Sequence, residues 1–202
     1  MLFNDTSRKE RICAITDGVY AIVLTLLVLD LKAPRTPGLA EEQLLNDLVN
    51  HVQNFITYFI SFVVIAWFWF RHHEIFKALD RCNNFLIGMN FFHILFLTLL
   101  PFTASLHGRY KEDEIAVLLF LINLWLCGLS IGFLSQYACK KTEWHEKESA
   151  ELLLRQHWLY RYSATVLLIP AITVSFFNHN IALYICFVFP LIVRLVTRRK
   201  ER

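Results

Sequence analysis

Six runs of about 20 mostly apolar residues occupy most of this 202-residue chain, at approximately 13–32, 52–71, 84–106, 114–138, 157–177 and 180–197. A run of that length is what an α-helix needs to cross the ~30 Å hydrocarbon core of a bilayer. Composition agrees: 56% of residues are hydrophobic and only 18% charged, against about 45–50% and about a quarter in soluble domains. The expected fold class is all-α, a polytopic membrane protein with six transmembrane helices forming one domain over residues 1–202. Pro101, Pro170 and Pro190 fall inside spans, where membrane helices tolerate proline better than soluble ones do. The first run has basic flanks, but it is too long for a signal-peptide core and lacks a small-x-small cleavage site. It reads as a retained helix.

Lysine and arginine set the orientation. With the N-terminus placed in the cytoplasm, the inner segments hold 16 of the 20 Lys and Arg residues and the outer segments hold Lys32, Arg35, Arg109 and Lys111. That asymmetry is the positive-inside pattern and puts both termini in the cytoplasm. The outer connections are acidic, with Glu41, Glu42 and Asp47 in 33–51 and Glu112, Asp113 and Glu114 in the next. They read as solvated loops, or as a vestibule whose field concentrates cations. The charged stretch 140–156 reads as a cytoplasmic helix extension. Five cysteines show no CxxC spacing and read as isolated membrane thiols, so no metal site is expected.

The first run opens Arg11-Ile12-Cys13-Ala14-Ile15-Thr16-Asp17-Gly18. Ionisable groups inside a span are expensive and tend to be paired or functional. On a helical wheel Ile15, Gly18, Ile22, Leu26 and Leu29 share one face with Thr25 at its edge, while Asp17 lies far round beside Tyr20, Ala21, Leu24 and Val28. The apolar face reads as lipid or core contact, or as the wall of a path. Asp17 needs a partner on a neighbouring helix. The second span ends Trp67-Phe68-Trp69-Phe70-Arg71-His72-His73-Glu74 and the third carries Asn90 and His93. A network of Arg11, Thr16, Asp17, His73 and Asn90 is therefore expected near the inner surface. As a metal site it is poor, because adjacent His72 and His73 point apart on a helix.

No internal repeat is visible, so a pore lined by this segment needs several subunits. The pattern Arg11-x-x-x-Ile15-Thr16-Asp17, followed by Gly18 to Leu29 and by Leu31-Lys32-Ala33-Pro34, resembles the Arg-x-x-x-Phe-Ser-Asp signature of the prokaryotic relatives of the endolysosomal potassium channel. Ile15 stands for the family's Phe and Thr16 for its Ser. The end of the second span, Asn90, and Leu100-Pro101-Phe102 continue the resemblance over about residues 8–105. It implies a homotetramer in the cell membrane whose first helices line the pore, without the TVGYG filter, which this chain lacks. It further implies a constriction at Ile22, with Leu26 and Leu29 lining the path above it and a hydroxyl layer at Thr25. Arg11, Thr16 and Asp17 would then serve packing and assembly, with His73 and Asn90 as partners.

The resulting expectation is passive, potassium-selective permeation through a hydrophobic constriction on the tetramer axis. The partners are further copies of the chain, membrane lipid and K⁺ ions held transiently near Thr25, with no cofactor and no nucleic acid. The alternative from another class is a proton- or cation-coupled carrier using Asp17 and His73 as a relay. An enzyme is not expected: HExxH and paired intramembrane aspartates are missing from the sequence, and Asp17 has no obvious catalytic partner.

Overall fold

The computed structural model describes residues 5–31, 41–110 and 113–141, together with the single positions 169 and 173. Five α-helices follow in order: α1 Asp5–Leu26, α2 Glu41–Asn50, α3 Val52–Lys77, α4 Asn84–Arg109 and α5 Glu114–Lys140. Four membrane-length apolar stretches lie along α1 and the turn that follows it, α3, α4 and α5, at Ser7–Leu29, Asn54–Lys77, Asn84–Arg109 and Glu114–Lys140. Apart from positions 169 and 173, the fifth and sixth expected spans, 157–177 and 180–197, fall outside the described residues, as does most of 140–156.

The helices outrun the apolar runs that announce them. A 26-residue helix such as α3 is about 39 Å long, against a hydrocarbon core of ~30 Å. The helix of the second span, α3, accordingly continues beyond residue 71 to Lys77, because Ile75 and Phe76 keep its inward side apolar and buried while Glu74 and Lys77 face outward. The third reaches Arg109 rather than 106 and the fourth Lys140 rather than 138. The first helix starts earlier than expected, at Asp5, and tightens after Leu26 into a 3₁₀ turn over Leu27–Asp30, where the Leu31 N–H reaches the Val28 carbonyl at 3.0 Å. The outer connection 33–51, expected as a loop, contains α2. Its Leu44, Leu45, Leu48 and Val49 repeat at helical spacing, a pattern that the acidic residues around them mask.

Hydrogen bonds define the topology. Arg8 donates to Asn84, Asn90 donates to Thr16, and Tyr20 meets His93, so residue numbers rise together and α1 runs parallel to α4. Lys9 donates to the Leu79 carbonyl while Trp69 donates to Asp17, so α1 and α3 are antiparallel. α4 and α5 are antiparallel along their length, through Asn83–Tyr137, His93–Ser130 and Thr103–Asn123. Successive membrane helices thus alternate in direction.

Side-chain caps mark where α4 and α5 begin. Asn83 accepts from the Leu86 N–H at 2.9 Å and donates to Tyr137 Oη at 2.8 Å, pinning the start of α4 to the end of α5. Asp113 accepts from the Ile115 and Ala116 N–H groups, covering orphan donors at the head of α5. α4 runs on through Pro101.

Two apolar layers fill the bundle. One contains Tyr20, Val23, Leu27, Ile65, Phe68, Leu97, Leu100, Phe120 and Leu124. The other, toward the start of α1, contains Ile12, Ile75, Phe76, Leu79, Leu86, Ile131 and Leu134. Between them lies a belt of buried polar side chains: Thr16, His72, Asn90, His93 and Ser130. Arg71, also buried, pairs with Glu74 at 3.1 Å on the same helix.

Replacing Asn83 with Ala removes both the α4 cap and the tie to Tyr137. The expected loss is about 1–2 kcal/mol, read as a lowered thermal midpoint of the purified protein in detergent. An unchanged midpoint would remove this cap from the account.

Candidate functional site

α1 carries three distinct faces. Ile12, Thr16, Tyr20, Val23 and Leu27 are buried, at spacings of four, four, three and four that make one helical stripe. A second line, Ile15, Gly18, Ile22, Leu26 and Leu29, is exposed, reaching 59% at Ile22 and 69% at Leu29. The third face holds Ala14, Asp17, Ala21 and Val28 and is also exposed. The wheel put Tyr20 on the same side as Asp17; the structure separates them, turning Tyr20 into the core and leaving Asp17 at the surface.

The exposed part of α1 differs from that of its neighbours. α3 and α4 present phenylalanine outward at Phe55, Phe59, Phe62, Phe70, Phe85, Phe91, Phe92 and Phe102, a bulky surface suited to lipid chains. α1 presents none, and instead offers Gly18, Ala14, Ala21, a hydroxyl and a carboxylate. A Cβ added at Gly18 would meet nothing within 4 Å, so packing among the described helices does not require glycine there. Small and polar residues on a membrane helix suit close approach of another helix or of water. Thr25 Oγ1 lies between the Ala21 and Ile22 carbonyls, at 3.0 and 2.8 Å. Its proton is therefore turned back on the helix, and its exposed oxygen presents lone pairs outward.

The buried face is held by two hydrogen-bond chains whose direction follows from their chemistry. In the first, Thr16 Oγ1 donates to the Ile12 carbonyl (2.8 Å) and accepts from Asn90 Nδ2 (2.8 Å), so Asn90 Oδ1 must accept from His72 Nε2 (2.8 Å). In the second, Ser130 Oγ donates to the Cys127 carbonyl (2.9 Å) and accepts from His93 Nδ1 (2.8 Å). The neutral His93 ring then has only Nε2 as an acceptor, and the Tyr20 O–H donates to it at 2.7 Å. The His72 ring also stacks on Phe76, with centroids 4.4 Å apart.

The expected network of Arg11, Thr16, Asp17, His73 and Asn90 is thus divided in two. Thr16 and Asn90 are bonded, but the histidine that joins them is His72, not His73. Consecutive helical residues project about 100° apart, and the buried stripe of α3 passes through Phe68, His72, Ile75 and Phe76. His73 is exposed, with its ring stacked on Trp69 at 5.7 Å and 28°. Asp17 accepts from Trp69 Nε1 at 2.8 Å. Arg11 stands exposed one turn before Ile15. Sequence reasoning missed the roles of Tyr20, His93, Ser130 and Trp69. A signal was present for the first two: Tyr20 follows Thr16 by four residues and His93 follows Asn90 by three, so each pair shares a helix face. Among the described residues, no group of three or more His, Cys, Asp or Glu side chains could hold a metal ion.

These features define a class, a multi-pass helical membrane protein whose first helix is anchored along one face and uncovered along two. The fold is that of a crystallised lysosomal potassium-selective channel TMEM175 homolog from Chamaesiphon minutus, with a TM-score of 0.78 over 94% of this chain and 97% of that one at 24% identity. A second crystal structure, of a potassium channel MtTMEM175 variant, matches with a TM-score of 0.62 at 13% identity, over 95% and 93%. At these identities the likeness speaks for the fold. In sequence, a potassium channel of Chryseobacterium sp. (strain P1-3) is 25% identical over 195 residues, 96% of each chain. The endosomal/lysosomal proton channel TMEM175 of Gallus gallus is 36% identical over 112 residues, 52% of this chain, which spans only 22% of that protein's length. The profile of the endosomal/lysosomal potassium channel TMEM175 family matches residues 11–101, from Arg11 through most of α4. Over residues 11–101 the chain is thus similar to the TMEM175 family, and the relatives named above are ion channels.

The division of the network predicts unequal roles for two adjacent histidines. His72→Ala strips a donor from buried Asn90 and should lower stability by about 1–3 kcal/mol; His73→Ala, at the surface, should stay within about 0.5 kcal/mol. Thermal midpoints of the two variants in detergent check this, and the reverse order would return His73 to the network.

Proposed function

We propose that this chain is a potassium channel subunit, with K⁺ permeating passively along the exposed apolar line of α1 at the axis of a homotetramer. One observation carries the reading: the pairing of an anchored buried face with an uncovered line of Ile15, Gly18, Ile22, Leu26 and Leu29, in a chain whose full-length bacterial match is a potassium channel. Around a four-fold axis that line faces its three equivalents. The face carrying Ala14, Asp17 and Ala21 then turns toward the adjacent subunit.

In this reading Ile22 forms the constriction and Leu26 and Leu29 line the path beyond it. A ring of branched apolar side chains closes the path by dewetting or by contact, and widening rewets it. Apolar walls replace no hydration shell, so an ion passes with much of its water. Na⁺ holds its water more tightly than K⁺, so a narrow apolar neck favours K⁺. The outward oxygen of Thr25, nearly one turn beyond Ile22, offers transient coordination there. No cofactor takes part; the permeant K⁺ is the substrate. In this reading the protein sits in the cell membrane with both termini cytoplasmic, which the charge asymmetry supports, and its partners are its own copies and lipid. The carrier alternative needs Asp17 and His73 to pass protons. Asp17 is engaged by an indole N–H, which donates but cannot accept, so this contact offers no relay for a proton.

Purified protein in planar bilayers under opposed K⁺ and Na⁺ gradients tests the reading. Discrete currents reversing near the K⁺ potential are expected; saturable, pH-driven flux without unitary currents would overturn it in favour of a carrier. In the same bilayers Ile22→Asn should raise the open current and lower the K⁺ preference, because a polar ring wets the neck. Thr25→Val keeps the shape and removes the oxygen; K⁺ preference should fall while the closed state stays tight. Currents and reversal potentials that match the wild type in both variants would move the constriction elsewhere.

A further inference from the structure

We infer that the Tyr20–His93–Ser130 chain sets the rotation of α1 about its own axis, which makes His93 a positioning residue for the constriction. The inference rests on the proposed reading of α1 as the pore helix.

Tyr20 and His93 are almost fully buried, at 1% and 0% exposure, and Ser130 is 3% exposed. Phenylalanine in place of Tyr20 would fill the same space and bury no hydroxyl. The tyrosine adds direction: its O–H must find Nε2 of a ring whose other nitrogen is held by Ser130 on α5. A hydroxyl left unbonded in such a place is costly, so the arrangement admits one orientation of α1. Thr16, one turn earlier on the same stripe, makes the second attachment through Asn90. Two attachments on one face, to residues three apart on α4, fix both rotation and height.

The geometry links this anchor to the constriction. Ile22 lies two residues beyond Tyr20, about 200° round the helix, so it projects away from the anchor. A rotation of about 40° would turn Ile22 off the axis and bring Gly18, one turn before it, or Leu26, one turn after it, to face the axis instead, since those positions flank Ile22 by that amount on the wheel. Branched Ile22 closes a neck that Gly18 would leave open. No described side chain covers the far side of α1, and apolar contacts at Val23 and Leu27 do not by themselves choose a rotation. The groups beside the trio are His72, whose ring lies 6.0 Å from Tyr20 and 6.4 Å from His93, and Phe68, 6.3 Å from His93.

The test compares Tyr20→Phe, His93→Ala and the double variant with the wild type, full chain, in planar bilayers under opposed K⁺ and Na⁺ gradients. Assembly is checked by size exclusion. Loss of one neutral hydrogen bond, about 1 kcal/mol net, corresponds to about a fivefold shift from anchored to rotated α1. Tyr20→Phe should therefore raise Na⁺ current relative to K⁺ by a comparable factor, with the oligomer unchanged. The double variant should be no worse than the more severe single one, because both remove the same bond. Effects that add, or a lowered thermal midpoint with an unchanged K⁺/Na⁺ permeability ratio, would overturn the inference and leave the trio a packing feature. If His93→Ala does not fold, Tyr20→Phe, which loses one hydroxyl, decides alone. Ile22→Asn is the control: a changed ratio there with none in Tyr20→Phe rejects the anchor and keeps the pore reading. No change in either rejects both.

Discussion

The structure depends on the need to satisfy buried polar groups in a medium that offers no water. Five side chains on α1, α3, α4 and α5 form a polar belt between two apolar layers, and each is tolerable there only because a neighbour completes it. The two chains are directional. Thr16 must give its proton to its own helix, which forces Asn90 to present its amide nitrogen, which in turn forces His72 to donate. A net hydrogen bond inside a protein contributes only about 1 kcal/mol, so the belt adds little to the total stability. Its larger effect is to exclude other registers of α1 against α4, since a shift by one residue would strand several groups at once.

Anchoring one face of α1 is also what frees the others. A helix held by apolar contacts alone would be free to roll until its largest side chains were covered. Here the largest uncovered residues, Ile22, Leu26 and Leu29, stay outward, because the opposite face is committed to named partners. The contrast with the phenylalanine-covered flanks of α3 and α4 indicates that these surfaces meet different surroundings. The 3₁₀ turn that follows Leu26 ends the regular part of α1.

Much of this organisation could be read from the residues. Length and hydropathy announce the first four spans. The wheel finds the line of Ile15, Gly18, Ile22, Leu26 and Leu29 without any structure. Asn90 and Thr16 were expected to meet, and they do. The choice between His72 and His73 was not legible, because it turns on the rotation of α3, to which the tryptophan- and phenylalanine-rich run of 67–70 gives no clear polarity. α2 was hidden for a related reason: its leucines are diluted by acidic residues and fall short of a span, so composition reads as loop.

By itself the sequence determined the membrane class, the alternation of crossings and the apolar line on α1, because these follow from local periodicity and from the solvation of charge and hydrocarbon. Only the tertiary structure decided which polar residue meets which. Asp17 went to Trp69, Asn90 to His72, and Tyr20 to His93. Hydrogen bonds need distances within a few tenths of an ångström and one donor for each acceptor, and those conditions are set jointly by the rotations of four helices rather than by any one segment.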